Sequence, residues 1–325
     1  MYTNVMISNV LIYLLSFIGI WIGSGLAIGS VERVSKILRV SSFAVSFLIL
    51  GLFTSVSELS VGVNSILGND PEIYVGNLIG ASIVICMLVV PLLAITGNSI
   101  RISPEFRGFN LPVSLVVIAL PVILAMDGRV GKIDSIIALS LFGFLVVTIQ
   151  TKKSLLERIK SISVRSRVKV GKEVLRIVFG VATIFAASKF VVEQTVYFSE
   201  LLGVSPFLIS LLLIAVGTNV PELSFIFRSL FMKNNQVAFG DYVGSASFNT
   251  FFLGILTLIY GKPIYLTNSY LVSLLFLVAG LSAFYYFSRT KNTISRLEGF
   301  VLLGIYLLFL IVEIYIHKDS LLPGF

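Results

Sequence analysis

Runs of about 20 apolar residues, the length that crosses a bilayer as a helix, recur from one end of this chain to the other, with most charges gathered between them. One soluble core of this length cannot absorb that much apolar surface: 57% of the 325 residues are hydrophobic and only 12% are charged. Inside hydrocarbon the backbone must satisfy its own hydrogen bonds, so runs of this kind fold as helices. The pattern predicts an all-α integral membrane protein with ten transmembrane helices, roughly 8–30, 41–67, 73–96, 109–126, 133–151, 174–199, 206–227, 236–260, 266–288 and 298–316. The opening stretch MYTNVMISNV has no basic segment and no small-residue cleavage site, so the first run reads as a retained span. The single cysteine, Cys86, excludes an internal disulfide and, in an apolar run, reads as packing.

A net charge of +8 raises the question of a polyanionic partner. The cations follow the helix ends instead. With the N-terminus outside, 19 of the 24 Lys and Arg fall on inner segments, nine of them between Lys152 and Arg176. Outer segments hold Arg129, Lys132, Lys262 and Lys318. The positive-inside rule then predicts a multi-pass protein of the cell membrane, both termini extracytoplasmic and residues 152–173 cytoplasmic. Contact of that basic loop with anionic lipid fits the same charge pattern, and no nucleic-acid partner is needed.

The cytoplasmic segment KKSLLERIKSISVRSRVKVGKE is the long polar connection and parts the spans five and five. It defines a first five-helix repeat at 1–151, a basic linker at 152–173 and a second repeat at 174–325. A shift of 164 residues lays TSVSELS (54–60) on TNVPELS (218–224) and, without a gap, GNLIGAS (76–82) on GDYVGSA (240–246). Five spans separate the copies, so they run in opposite directions through the membrane. Inverted repeats of this kind point to a secondary transporter with its site near the midplane.

Each copy places oxygen-bearing side chains inside an apolar helix. Pro221 has no N–H and crowds the carbonyl four residues back, which frees the Gly217 carbonyl. Such a carbonyl is tolerated in hydrocarbon only where it lines a cavity or meets a ligand. Thr218 and Glu222 are spaced i, i+4 and share a face, as do Thr54 and Glu58. Carboxylates, hydroxyls and carbonyls suit hard cations such as Na⁺, Ca²⁺ or Mg²⁺. An acid at the bilayer centre costs about 2.5–3.5 kcal/mol, so two at matched positions imply use. Asp241, Ser245 and Asn249 form a polar stripe at i, i+4 and i+8, against Asn77, Ala81 and Ile85 in the first half. Gly76 with Gly80, and Gly240 with Gly244, permit close helix approach.

These motifs, in two inverted halves, resemble the cation/calcium exchanger superfamily, and most closely its prokaryotic sodium/calcium exchangers. The resemblance implies an antiporter in which calcium and sodium compete for one cluster of sites while the first and sixth helices slide. It implies Glu58 and Glu222 as central ligands, Thr54, Ser55 and Thr218 as hydroxyl or carbonyl ligands, and Ser245 and Asn249 as flanking ligands. The transported ions, Ca²⁺ and Na⁺, are the partners, with H⁺ as an alternative, and no cofactor is implied. The chain departs from the family pattern at Ser57 (usually Pro), Asn219 (usually Ser), Ala81 (a Ser ligand), Ile85 (Asn or Asp), Asn249 (often Asp) and Asp241 (usually Asn). Ser57 predicts a weaker helix break near Glu58, and the lost oxygens bear on sodium stoichiometry and on calcium itself.

Three readings stay open on sequence alone: calcium exchanged for sodium, a cation exchanged for protons at the same two acids, and a channel or non-transporting protein whose glutamates hold helices together. The pattern leaves the oligomeric state open, and a monomer is compatible with it. Lys189 and Glu193 read as an intrahelical pair, Asp70 and Glu72 as a solvated turn, and Glu313 with His317 as the outer end of the last helix. No phosphate loop, zinc spacing or nucleophile elbow is present, so neither enzyme chemistry nor ATP drive is expected.

Overall fold

A computed structural model describes residues 2–38, 47, 51–97, 99–102, 108–149, 164–220, 222–223, 235–266, 271–290 and 292–316. The helices are α1 (Tyr2–Leu38), α2 (Gly51–Thr54), α3 (Val56–Leu67), α4 (Glu72–Val84), α5 (Val90–Thr96), α6 (Asn110–Leu124) and α7 (Lys132–Ile149), followed by α8 (Val164–Leu202), α9 (Pro206–Ile209), α10 (Ala215–Thr218), α11 (Asn235–Tyr260), α12 (Leu271–Arg289) and α13 (Arg296–Ile316). Wider π turns join α4 to α5 at Ile85–Val89 and α9 to α10 at Ser210–Ile214. Among the described residues, seven helices are long and apolar enough to cross a membrane, and three shorter apolar ones cover Val56–Leu67, Asn110–Leu124 and Pro206–Thr218.

Two helices outrun their sequence-predicted spans. At 1.5 Å per residue α1 and α8 are about 55 and 58 Å long, nearly twice a hydrocarbon core. The segment 152–173 is accordingly not all loop, since α8 begins at Val164. The pair packs backbone to backbone: a Cβ on Gly23 would lie 2.7 Å from the Gly180 carbonyl oxygen, and one on Gly180 2.6 Å from that of Gly23. Arg33 reaches Glu173 at 2.8 Å near one end of the pair, and Tyr13 Oη meets Thr195 Oγ1 at 3.1 Å toward the other.

The interior belongs to two spans. The most apolar stretches of Glu72–Thr96 and Tyr242–Tyr260 are 83% and 78% buried, against 22–33% for the other five, whose outer faces meet lipid. Close approach explains the difference. A Cβ on Gly80 would overlap the Leu211 carbonyl oxygen, and one on Gly244 that of Phe47. Both glycine and carbonyl are displaced by the same 164 residues between the two contacts. A Cβ on Gly76 would stand 2.6 Å from the Phe207 carbonyl oxygen. Packing is therefore what these glycines supply, each admitting a carbonyl of the opposite half.

Four short strands obey the same relation. Ser99–Arg101 (β1), Arg129–Val130 (β2), Ile264–Tyr265 (β3) and Thr293–Ser295 (β4) form two antiparallel pairs, β1 with β4 and β2 with β3. Each pair takes one strand from each half. Cys86 is free and buried in the core, and Lys189 and Glu193 make an exposed contact at 3.8 Å, as their spacing predicts.

Candidate cation site

Helices α2 and α3 are separated at Ser55 (φ −83°, ψ 12°), and α10 ends at Asn219 with almost the same torsions (φ −90°, ψ 9°). The two breaks are related by the 164-residue shift. The expectation of a weaker break in the first half is corrected: it forms without a proline. Serine supplies the local reason, because the Ser57 hydroxyl lies 3.2 Å from the Thr54 carbonyl oxygen and competes with regular helical pairing there. Pro221 lies outside the described residues, as does the side chain of Asp241.

The breaks bring the two halves together. Thr54, Ser55, Glu58, Asn77, Thr218, Asn219, Glu222, Ser245 and Asn249 are all at least 99% buried. Ser55 Oγ and Ser245 Oγ are 2.7 Å apart, and Ser245 Oγ donates to Glu222 Oε1 at 3.4 Å. Ser57 Oγ stands 3.0 Å from Glu58 Oε2 and 3.2 Å from the Thr218 carbonyl oxygen, while Thr218 Oγ1 donates to Asn77 Oδ1 at 3.3 Å. Residues of α2, α3 and α4 thus interlock with those of α10 and α11 and with Glu222.

The Asn219 and Asn249 side chains are held by their amide nitrogens and leave their oxygens without a hydrogen-bond partner. The Asn219 Nδ2 turns back and donates to the Ala215 carbonyl at 2.7 Å. Asn249 Nδ2 donates to Ser82 Oγ at 3.1 Å. Sequence reasoning passed over Ser57 as a ligand, Ser82 and Tyr242. Ser57 and Ser82 lie within the repeated motifs themselves, whereas Tyr242, whose hydroxyl donates to the Glu222 main-chain carbonyl at 3.2 Å, has no counterpart at Leu78. Tyr242→Phe is expected to lower stability by about 1 kcal/mol, the usual net worth of one hydrogen bond, read as a fall in thermal midpoint in detergent.

Buried polar atoms nearly always find partners. Here Glu58 Oε1, Asn219 Oδ1 and Asn249 Oδ1 are buried without a hydrogen-bond partner. The Glu58 and Glu222 carboxylates with the Asn219 and Asn249 amide oxygens make this interior rich in oxygen. No group of three or more His, Cys, Asp or Glu side chains poised for a metal occurs among the described residues, so neutral oxygens must complete any coordination shell. Outside the membrane, burial and the nearby Glu200 carboxylate raise the Asp70 carboxyl above its ordinary range. Asp70 follows Asn69, whose positive φ of 64° makes the tight turn between α3 and α4.

Broken helices from two similar halves around a buried, oxygen-rich centre define a multi-pass helical membrane protein. Residues 8–150 and 172–315 match the family of the sodium/calcium exchanger protein, and the chain belongs to that family. It is 32% identical over 146 residues to the sodium/calcium exchanger MaX1 of Methanosarcina acetivorans, covering 45% of this chain and 41% of that protein. The aligned part therefore spans less than half of that relative. It is 23% identical over 221 residues to the inner membrane protein YrbG of Escherichia coli, covering 64% and 68% of the two chains. The structure of the sodium-calcium exchanger NCX_Mj soaked with 10 mM Na⁺ and 10 mM Sr²⁺ matches with a TM-score of 0.69 at 22% identity, over 94% of this chain and 98% of that one. At that identity the likeness establishes the fold.

Proposed function

We propose that the chain exchanges Ca²⁺, or a similar hard divalent cation, for Na⁺ across the cell membrane by alternating access at Glu58 and Glu222. The observation that carries this reading is the cluster of fully buried oxygens assembled from both halves, with unpartnered atoms at Glu58, Asn219 and Asn249. Two carboxylates neutralise one divalent ion or, with hydroxyl and carbonyl oxygens, hold sodium instead. Occupancy by one ion excludes the other, and that exclusion couples the fluxes. Ligands are Glu58, Glu222, Thr54, Ser55, Thr218, Asn219, Ser245, Asn249 and Asn77, with Asp241 on α11 near the cytoplasmic mouth.

Ten spans in two inverted five-helix repeats, 1–151 and 174–325 with the linker 152–173 between them, go with this reading. Support comes from the seven long and three shorter apolar helices, from the glycine–carbonyl contacts related by 164 residues, and from the exchange of strands between halves. The paired segments also agree in charge side. Arg101 and Arg289 flank the β1–β4 pair, and Arg129 and Lys262 the β2–β3 pair, matching an inner and an outer face. Both termini are then extracytoplasmic.

Helix α4 and the π turn after it favour one alternative: Ala81 and Ile85 are buried and bring no oxygen, so protons replace sodium as the driving ion in a second reading. Radioactive calcium uptake into proteoliposomes separates the two. Uptake driven by an outward sodium gradient and indifferent to a pH gradient is the expected result. Uptake driven by the pH gradient alone assigns proton coupling, and flux without any counter-ion reduces the protein to a channel.

A further inference from the structure

Three acceptors surround one hydroxyl at the centre of the molecule. Ser57 Oγ lies 3.0 Å from Glu58 Oε2, 3.2 Å from the Thr54 carbonyl oxygen and 3.2 Å from the Thr218 carbonyl oxygen. A hydroxyl carries a single proton and satisfies one acceptor at a time. The Ser57 proton therefore cannot serve all three acceptors at once, and at any moment its lone pairs face oxygens of both halves. Ser57, Glu58, Thr54 and Thr218 are buried to within 1%, and Glu58 Oε1 beside them has no hydrogen-bond partner. A hard cation is the ligand that oxygens this deeply enclosed suit.

We propose that Ser57 is itself a ligand for the transported cation and sets its selectivity. The proline of the family pattern has no side-chain oxygen. Here the serine adds one on the line joining the two halves, where the carbonyls of Thr54 and Thr218 converge. Ca²⁺ takes six to eight oxygens, and a site that lacks oxygen at Ala81 and Ile85 regains one at Ser57. With a cation bound, the lone pairs of Ser57 Oγ face the ion and its proton turns to one of the two carbonyls. Ser57 is then a direct contact rather than a prop for Glu58.

The inference rests on the hard-cation reading of Glu58 and Glu222, and one binding experiment separates their failures. Calcium and cadmium affinities are measured by titration calorimetry on the full-length protein in detergent, for wild type and for Ser57→Ala, Ser57→Thr and Ser57→Cys. Wild type is expected to bind calcium. Ser57→Ala binds it about tenfold more weakly, the scale of one lost contact to a charged group, and Ser57→Thr restores it. Ser57→Cys loses calcium affinity and gains cadmium affinity, because sulfur prefers soft ions. A prop acting through Glu58 moves calcium affinity without that gain. Wild-type calcium binding with unchanged affinity in Ser57→Ala, or with no cadmium gain in Ser57→Cys, overturns the role of Ser57 alone. Absence of calcium binding in wild type overturns the hard-cation reading and takes this inference with it. Ser57→Cys is nearly isosteric and serves as the folded control through its elution profile.

Discussion

Exchange is expected to be lost in a Glu222→Gln variant that still elutes as a folded protein, with calcium uptake into proteoliposomes reduced about a hundredfold or more, the range expected when one partner of a buried charge pair is neutralised. The variant keeps the shape of the side chain and the hydrogen bond from Ser245 while removing one of two negative charges. A divalent ion in the cluster then leaves an uncompensated positive charge away from water, which is strongly unfavourable. Glu58→Gln is expected to behave alike, because the two acids occupy positions related by the 164-residue shift. The measurement is uptake at saturating sodium gradient beside a calcium titration of the same preparation. Undiminished uptake in Glu222→Gln removes that acid from the site.

The largest effect on stability is expected at Gly80. Its Cβ would overlap the Leu211 carbonyl oxygen and stand 2.6 Å from Ala215 Cβ, both on the segment that ends at Thr218. Neither neighbour is the movable end of a flexible side chain, so α4 must retreat from the opposite half. Overpacking of this kind costs about 1–3 kcal/mol and occasionally more, and a backbone-to-backbone contact belongs at the upper end. Gly80→Ala should lower the thermal midpoint in detergent by several degrees, and Gly244→Ala, which meets the Phe47 carbonyl, should match it. A midpoint within a degree of wild type for both would mean the halves are not held by these contacts.

Much of this architecture is legible in the chain because membrane spans announce themselves by length and because the two motifs recur at one offset. The Thr-x-x-x-Glu spacing predicts from sequence alone that Thr54 shares a helix face with Glu58, and Thr218 with Glu222. Helix ends were less legible. Polar residues beyond the bilayer do not interrupt hydrogen bonding, so α1 and α8 continue well past their apolar stretches. Glu313, read as the outer end of the last helix, is 98% buried, since its environment depends on neighbours remote in sequence; His317 lies outside the described residues. The hydroxyl of Ser57 was hidden for a similar reason: its acceptors belong to both halves, and a pattern read along one strand of sequence registers only the missing proline. The partner of the Asn249 amide nitrogen was equally illegible, because it is Ser82, a neighbour 167 residues away.

The two strand pairs have a mechanical meaning. Each holds a connection of the first half to a connection of the second through main-chain hydrogen bonds, so the body is riveted above and below its waist. Parting the halves like a book would break both rivets. The long α1–α8 pair carries no strand of either sheet; it meets α3 through an apolar cluster that includes Ile20, Val56, Val61 and Ile184 and through Asn64, which donates to the Phe185 carbonyl at 3.2 Å and to Ser188 Oγ at 2.8 Å. Among the described residues that seam is closed by side chains without a strand pairing, whereas the body on its other side is pinned by main-chain hydrogen bonds at two places.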